Sequence, residues 1–148
     1  MADKILFPKE EIIDGKYFNI HQDWEVPIPG FFILAPKRAI RSVMEMTDEE
    51  AAEFINLMRK TRRGMMEELG IKDVYFFMNE DTSDNLHLWI FPRLPWMEAF
   101  GRKIESVRPI INHAKTNMVN EGVFTEVKAY VKRMRKYMAG TTPLPFPA

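Results

Sequence analysis

Three histidines are the side chains of this sequence best suited to chemistry near neutral pH. Neutral imidazole is a good nucleophile, and it titrates close to pH 7. His113 stands among polar residues of a helical pattern, which is typical of a solvated side chain. His21 ends a predicted strand, where it either points outward or lines the mouth of a pocket. The sequence contains no cysteine, which excludes thiolate nucleophiles, disulfides and thiolate zinc sites.

His87 lies in the stretch NLHLWIF at residues 85–91, which has the period of a strand. Side chains alternate between the two faces of a strand, so His87 shares a face with Asn85, Trp89 and Phe91. The aliphatic residues between them take the other face, which we predict to be the core face. On spacing alone, a single histidine on a strand is more often structural than catalytic.

Four strands are predicted to position these side chains. Each is a short apolar run bounded by proline, glycine or polar residues. They lie at 16–22, 31–35, 74–79 and 86–91. Only residues 80–85 separate the last two strands, so we expect these strands to form a hairpin.

Three helices complete the predicted architecture. A TDEE capping box at Thr47 begins a helix that we predict to span 47–69 and to end at Gly70 in the left-handed conformation. Apolar residues at helical spacing predict two further helices after Gly101, with Pro109 near the start of the first or kinking it. We expect a domain over 1–100, a helical extension over 101–140 and a proline-rich tail over 141–148.

The ordered set of motifs resembles the histidine triad (HIT) family. The stretch at 85–91 is similar to the family motif in which three histidines alternate with apolar residues. Residues 30–40 resemble the family's strand and Pro-basic-basic stretch, Thr47 the opening of its main helix, and Met78-Asn79-Glu80 a strand end. The resemblance implies an α+β fold: a mainly antiparallel sheet with one long helix packed on it, plus C-terminal helices.

The resemblance also implies the role of individual residues. The middle histidine of the family motif attacks the α-phosphorus of a nucleotide, and His87 holds that place. Asn79 falls where the family brings an asparagine into the nucleotide site. Gln22 falls where the family has an acidic residue that holds the ribose, so Gln22, or nearby His21, is expected at the sugar. Thr82, in the short loop after Asn79, is a candidate phosphate contact.

Three family histidines are replaced in this sequence. Asn85 and Trp89 stand in the first and third positions of the motif, and Ala39 stands where the Pro-basic-basic stretch usually continues with histidine. Asn85 and Trp89 can still donate hydrogen bonds to a bound nucleotide, but an indole cannot protonate a leaving group. We therefore expect polyphosphate leaving groups, which need little acid assistance, to be preferred over amines.

The predicted function is a nucleotide hydrolase or nucleotidyl transferase that works through a nucleotidyl-histidine intermediate. A divalent metal could accompany a polyphosphate substrate and screen its negative charge. Four basic side chains could also screen this charge: Lys37, Arg38, Arg41 and Arg93. One alternative is a catalytically degenerate nucleotide-binding or protein-interaction module on the same fold. Another is a helical interaction protein that uses the basic residues within 128–136.

Composition bounds the partners and the setting of this chain. Lys plus Arg is 21 and Asp plus Glu is 21, so bulk electrostatics do not favour nucleic acid. No apolar run approaches the ~20 residues of a membrane helix, so no membrane partner is expected. The family implies a homodimer, and the cysteine-free sequence fits a cytoplasmic protein. We expect no metal held by the chain alone.

Overall fold

A five-stranded, fully antiparallel sheet forms the centre of the molecule in the computed structural model, which describes residues 4–81 and 85–140. The strand order is β1-β2-β3-β5-β4. The strands are β1 Glu11–Asp14, β2 Phe18–Gln22, β3 Phe32–Pro36, β4 Val74–Phe77 and β5 Leu88–Pro92. All neighbours pair antiparallel, so the predicted α+β class is confirmed, and so is the hairpin of β4 with β5. Strand β1, which has only four residues, was not predicted.

The long helix α1 spans Asp48–Leu69, as the capping box predicts. The Thr47 side chain accepts a hydrogen bond from the Glu50 amide, and the Glu50 carboxylate accepts one from the Thr47 amide at 2.9 Å. Gly70 ends the helix with a φ of 67°, in the left-handed region that glycine adopts without strain.

Two further helices follow the sheet, α2 over Ile104–Asn117 and α3 over Glu121–Ala139. Pro109 lies inside α2, in its second turn. Short 3₁₀ segments lie at Val43–Glu45 and Pro95–Phe100. The predicted tail at 141–148 lies outside the described residues.

Helices pack against both faces of the sheet. One apolar cluster joins α1 and α3 to the sheet face that carries Ile20, Leu34 and Leu88. A second cluster joins α2 to the opposite face, where Phe31 and Phe91 are fully buried. The apolar residues of the two helices within 101–140 therefore pack against the sheet.

Helices α1 and α3 meet closely at Gly64. A Cβ atom at this position would lie 2.7 Å from Cδ1 of Tyr137 and 2.9 Å from Cε of Met134. The close approach explains why a residue of low helix propensity occupies the middle of a long helix. The basic residues of α3 lie on its exposed side, as Lys128, Lys132, Arg133, Arg135 and Lys136 are all exposed.

Glu50 anchors the start of α1 to the loop after β3. Arg38 donates to both of its carboxylate oxygens, with Nε at 2.7 Å from Oε2 and Nη2 at 2.8 Å from Oε1. These hydrogen bonds, together with that from the Thr47 backbone, hold the pKa of the Glu50 carboxyl at about 2, against an ordinary 4.5. Arg38 is thereby engaged in holding the fold.

Glu50→Gln is expected to remove part of the acid sensitivity of folding. Because the folded pKa is lowered, the Glu50 carboxylate stabilises the fold fully above pH 4.5 and loses this effect as the pH falls towards 2. Urea unfolding near neutral pH and near pH 3 should differ less for Glu50→Gln than for the wild type. The control is Glu49→Gln, an exposed carboxylate of the same helix turn, which should keep the wild-type difference. An unchanged pH dependence in Glu50→Gln would contradict the assignment.

Candidate functional site

His87 lies directly before β5, and its side chain is exposed while its neighbours are buried. Leu86 and Leu88 are 2% and 4% exposed and point into the molecule. The Leu86 amide donates a hydrogen bond to the Ile40 carbonyl at 2.7 Å. This bond holds the backbone in place directly before His87. The predicted alternation along this strand therefore has the right phase.

A cleft of about 490 Å³ opens between β4, β5 and α2, and we call it the α2 cleft. Four predicted site residues line it together: His87, Asn79, Asn85 and Trp89. Its apolar wall is Phe77, Met78, Ile104 and Val107, and Arg108 is its cation. An aromatic and aliphatic wall beside amide donors and a guanidinium suits a ligand with a flat ring and an anionic group.

Trp89 lines this cleft and is half-buried against its neighbours. Its ring makes edge contacts with Phe31 at 5.2 Å and Phe77 at 6.4 Å between centroids. Further along the same face, Phe91 is fully buried under α2. The sheet face that carries His87 is thus exposed at the start of β5. At the end of β5 the same face is buried in the second apolar cluster.

A second cleft of about 270 Å³ lies on the other side of His87, and we call it the β1 cleft. His21, Trp24, Asn19 and the two carboxylates Glu10 and Glu11 line it. Asn85 and His87 line both clefts and therefore stand at their junction. His21 is thus placed beside His87 in the β1 cleft and does not line the α2 cleft.

Gln22 does not face either cleft, which corrects its expected place at the ribose. The residue is 0% exposed. Its Nε2 donates to the Ile28 carbonyl at 2.8 Å, so the side chain ties the end of β2 to the following connection. Strand alternation explains the outcome, because Gln22 shares the core face with Phe18 and Ile20 while His21 takes the other.

Most of the basic side chains that were predicted to screen phosphate charge form ion pairs or hydrogen bonds within the fold. Lys37 pairs with Asp14 at 2.6 Å, and Arg38 pairs with Glu50. Arg93 is largely buried and donates to the Gly101 carbonyl at 2.8 Å. Arg41 is exposed, and its Nε lies 3.3 Å from the Glu80 carbonyl.

Arg108 was not among the predicted site residues, although it is the cation of the α2 cleft. The signal available in the sequence was its position one turn after Ile104 in the amphipathic pattern of α2. That signal becomes informative only when α2 is known to pack over the sheet. Thr82, a predicted phosphate contact, lies outside the described residues.

Two further findings hold for residues 4–81 and 85–140, the part of the chain that the structure describes. Within these ranges, no three histidine or carboxylate side chains converge as ligands for a metal ion. No helix in the same ranges combines the length and the apolarity needed to cross a membrane.

His113 packs half-buried against the rings of Trp96 and Phe100, so it is less solvated than predicted.

Comparisons with known proteins identify the fold. No family model and no curated protein matches this sequence. Its structure superposes on a zinc-bound histidine triad family protein from Mycobacterium smegmatis with a TM-score of 0.61, covering 90% of this chain and 86% of that one. The chain has the histidine triad (HIT) fold. The sequence identity to that protein is 16%.

Two other proteins with the HIT fold are similar over most of their length. A HIT-like protein involved in cell-cycle regulation from Bartonella henselae has a TM-score of 0.60 and 15% identity, with 88% of each chain covered. A diadenosine triphosphate hydrolase from Plasmodium falciparum has a TM-score of 0.52 and 20% identity, with 78% of this chain and 83% of that chain covered. The resemblance inferred from the sequence motifs is confirmed at the level of the fold.

Proposed function

We propose that this protein binds a nucleoside mono- or polyphosphate in the α2 cleft and transfers its nucleotidyl group to His87, as a hydrolase or a nucleotidyl transferase. The observation that carries the proposal is the exposed imidazole of His87 at the junction of two clefts on the HIT fold. The Plasmodium falciparum protein with this fold, a diadenosine triphosphate hydrolase, supports a substrate of the dinucleoside polyphosphate class.

The first chemical step is attack of the lone pair of a His87 ring nitrogen on the α-phosphorus. The nitrogen–phosphorus bond forms while the bond from phosphorus to the leaving oxygen breaks, and that oxygen leaves with the electron pair. A second step passes the nucleotidyl group from His87 to water or to another acceptor. A polyphosphate leaving group suits this site because Trp89, in the third motif position, is a donor that does not titrate.

The walls of the α2 cleft supply the contacts that such a substrate needs. Asn79 and Asn85 carry amide groups that donate hydrogen bonds to phosphate oxygens, and the Trp89 indole adds one more donor. The Arg108 guanidinium offsets phosphate charge, and a divalent metal brought in with a polyphosphate would add to this. The aromatic ring of Phe77 offers a surface on which a base can stack.

Arg108→Gln is expected to weaken nucleotide binding by about 10-fold or more, since a hydrogen bond to a charged group contributes roughly 1.5–3 kcal/mol. Calorimetry with AMP, GMP and their polyphosphate relatives measures the effect. The matched control is Arg102→Gln, because Arg102 is exposed and pairs with Glu98 away from both clefts. Equal affinity of the Arg108 variant and the wild type would place the phosphate elsewhere.

The second candidate function is a catalytically degenerate nucleotide-binding or protein-interaction module. The replacements Asn85 and Trp89 favour it, and so does Gln22, which is turned away from the clefts. A chromatographic assay on dinucleoside polyphosphates separates the two candidates. Product formation supports the enzyme, whereas calorimetric binding without turnover supports the module. No binding at millimolar nucleotide would overturn both.

We also propose that the protein is a cytoplasmic homodimer. Strand β4 is an edge of the sheet, and it exposes 39% of Phe76, with Met78 just beyond it at 40%. An exposed edge with apolar side chains favours pairing with a second chain. The absence of cysteine fits a reducing compartment. Light scattering at micromolar concentration should give twice the monomer mass, and a monomer would contradict the proposal.

A further inference from the structure

His21 is held in one orientation and one tautomer. Its Nδ1 lies 2.8 Å from the carbonyl oxygen of Gln22. A carbonyl only accepts hydrogen bonds, so Nδ1 carries the proton and Nε2 keeps its lone pair. The ring also stacks on Trp24, with centroids 4.8 Å apart and planes 18° from parallel. These two contacts fix the plane of the imidazole.

The fixed imidazole lies in the same cleft as the proposed nucleophile. His21 and His87 both line the β1 cleft. Strand β3 runs between β2 and β5, and its Ala35, paired with Asn19, also lines the cleft. The cleft volume of about 270 Å³ is ample for a water molecule.

We propose that His21 is the general base that activates water in the second step, the hydrolysis of the nucleotidyl group on His87. This role rests on the proposed function, and it replaces the ribose contact expected from the sequence. The neutral His21 Nε2 is an acceptor of the kind that an attacking water needs. The histidines missing from positions 39, 85 and 89 leave His21 as the second imidazole of this cleft.

The step balances without any further reactant. A water oxygen attacks phosphorus and its O–H bond breaks, with the proton passing to Nε2 of His21. The bond from phosphorus to the His87 nitrogen breaks, and its electron pair returns to the imidazole. Nucleoside monophosphate is released, and His21 then gives its proton to solvent.

Burial, the hydrogen bond to the Gln22 carbonyl, which raises the pKa of His21, and nearby charges together set the pH range in which His21 works. Burial lowers the pKa of His21 below the ordinary 6.5, and this is the largest effect. The carboxylates of Asp23 and Glu11 act in the opposite direction, while His87 acts in the same direction as burial. Glu10 also lines the cleft. His21 is therefore neutral at pH 7 and becomes protonated, and inactive as a base, only in more acidic solution.

The test is a rapid-quench measurement of the covalent adduct with a dinucleoside polyphosphate. Samples are stopped in alkaline denaturant, which preserves phosphorus–nitrogen bonds, and are analysed by intact mass. In His21→Gln the adduct should form at the wild-type rate but decay at least about 100-fold more slowly, the usual contribution of a general base. His113→Gln, a histidine outside both clefts, is the control and should decay at the wild-type rate.

A second measurement, on the wild type alone, does not depend on the folding of any variant. The decay rate should fall as the pH drops below the lowered pKa of His21. Equal decay of the adduct in His21→Gln and wild type, or decay that does not change with pH, would overturn the role of His21 and leave the proposed function standing. The absence of any adduct on His87 in either protein would overturn the proposed function itself.

Discussion

His87→Asn is expected to abolish the covalent adduct and to lower turnover of dinucleoside polyphosphates by a factor on the order of 10³ or more. The physical reason is that, among the residues that the structure describes, no other imidazole lines the α2 cleft, and the amide of asparagine is not a nucleophile. Nucleotide affinity should stay within a few-fold of the wild type, because the proposed phosphate donors Asn79, Asn85 and Arg108 remain. Intact mass after incubation with nucleotide, together with chromatography of products, measures both effects.

The matched control for this variant is His113→Gln. His113 lies on α2 and packs against Trp96 and Phe100, outside both clefts, so its loss should leave adduct and turnover unchanged. Exposed His87 makes few packing contacts, so its variant should unfold at the wild-type urea concentration. Turnover retained in His87→Asn would contradict a nucleophilic role for His87 and with it the proposed nucleotidyl-histidine intermediate.

Phe91→Ala is expected to destabilise the fold by about 3–5 kcal/mol, the range for deleting a buried phenyl ring. Phe91 is 0% exposed, and its ring makes an edge contact with Phe31 at 5.1 Å. The ring is part of the cluster that joins α2 to the sheet, so its loss leaves a cavity beneath that helix. Urea unfolding monitored by circular dichroism should show a lower midpoint, and nucleotide binding should weaken as α2, which carries Arg108, loosens.

The control for this prediction is Phe76→Ala on the neighbouring strand. Phe76 is 39% exposed in the single chain and lies at the proposed dimer edge, so in dilute solution, where the monomer prevails, its removal should cost much less than the removal of Phe91. The pair compares the same substitution on adjacent strands at two depths. Similar losses in both variants would mean that α2 does not cover this face of the sheet.

Local chemistry determined several elements from the sequence alone. The capping box at Thr47 and the glycine at position 70 set both ends of α1, because the bonds involved join residues close together in the chain. The phase of the strand at His87 followed from alternation, which a strand imposes through backbone geometry. The HIT fold followed from motifs in a fixed order, each of which depends on its neighbours in sequence.

The resemblance placed Asn79 near His87, and strand alternation placed Asn85 and Trp89 on the same face as His87; all four line the α2 cleft. The resemblance also placed Gln22 at the ribose, whereas the structure buries it. Alternation along β2 assigns Gln22 and His21 to opposite faces, but the sequence does not state which face carries the site. That choice was made by the pairing of β2 with β3 and of β3 with β5, which aligns His21 with the His87 face.

Only the tertiary structure decided which charges are available to a ligand and where α2 lies. Arg38 pairs with Glu50, twelve residues further along the chain, and Lys37 pairs with Asp14 across the sheet edge. Arg108 enters the α2 cleft because its helix buries apolar residues on the His87 face of the sheet. Ion pairs and helix docking depend on surfaces that come together only when the chain has folded, and no local pattern encodes the choice among several basic residues.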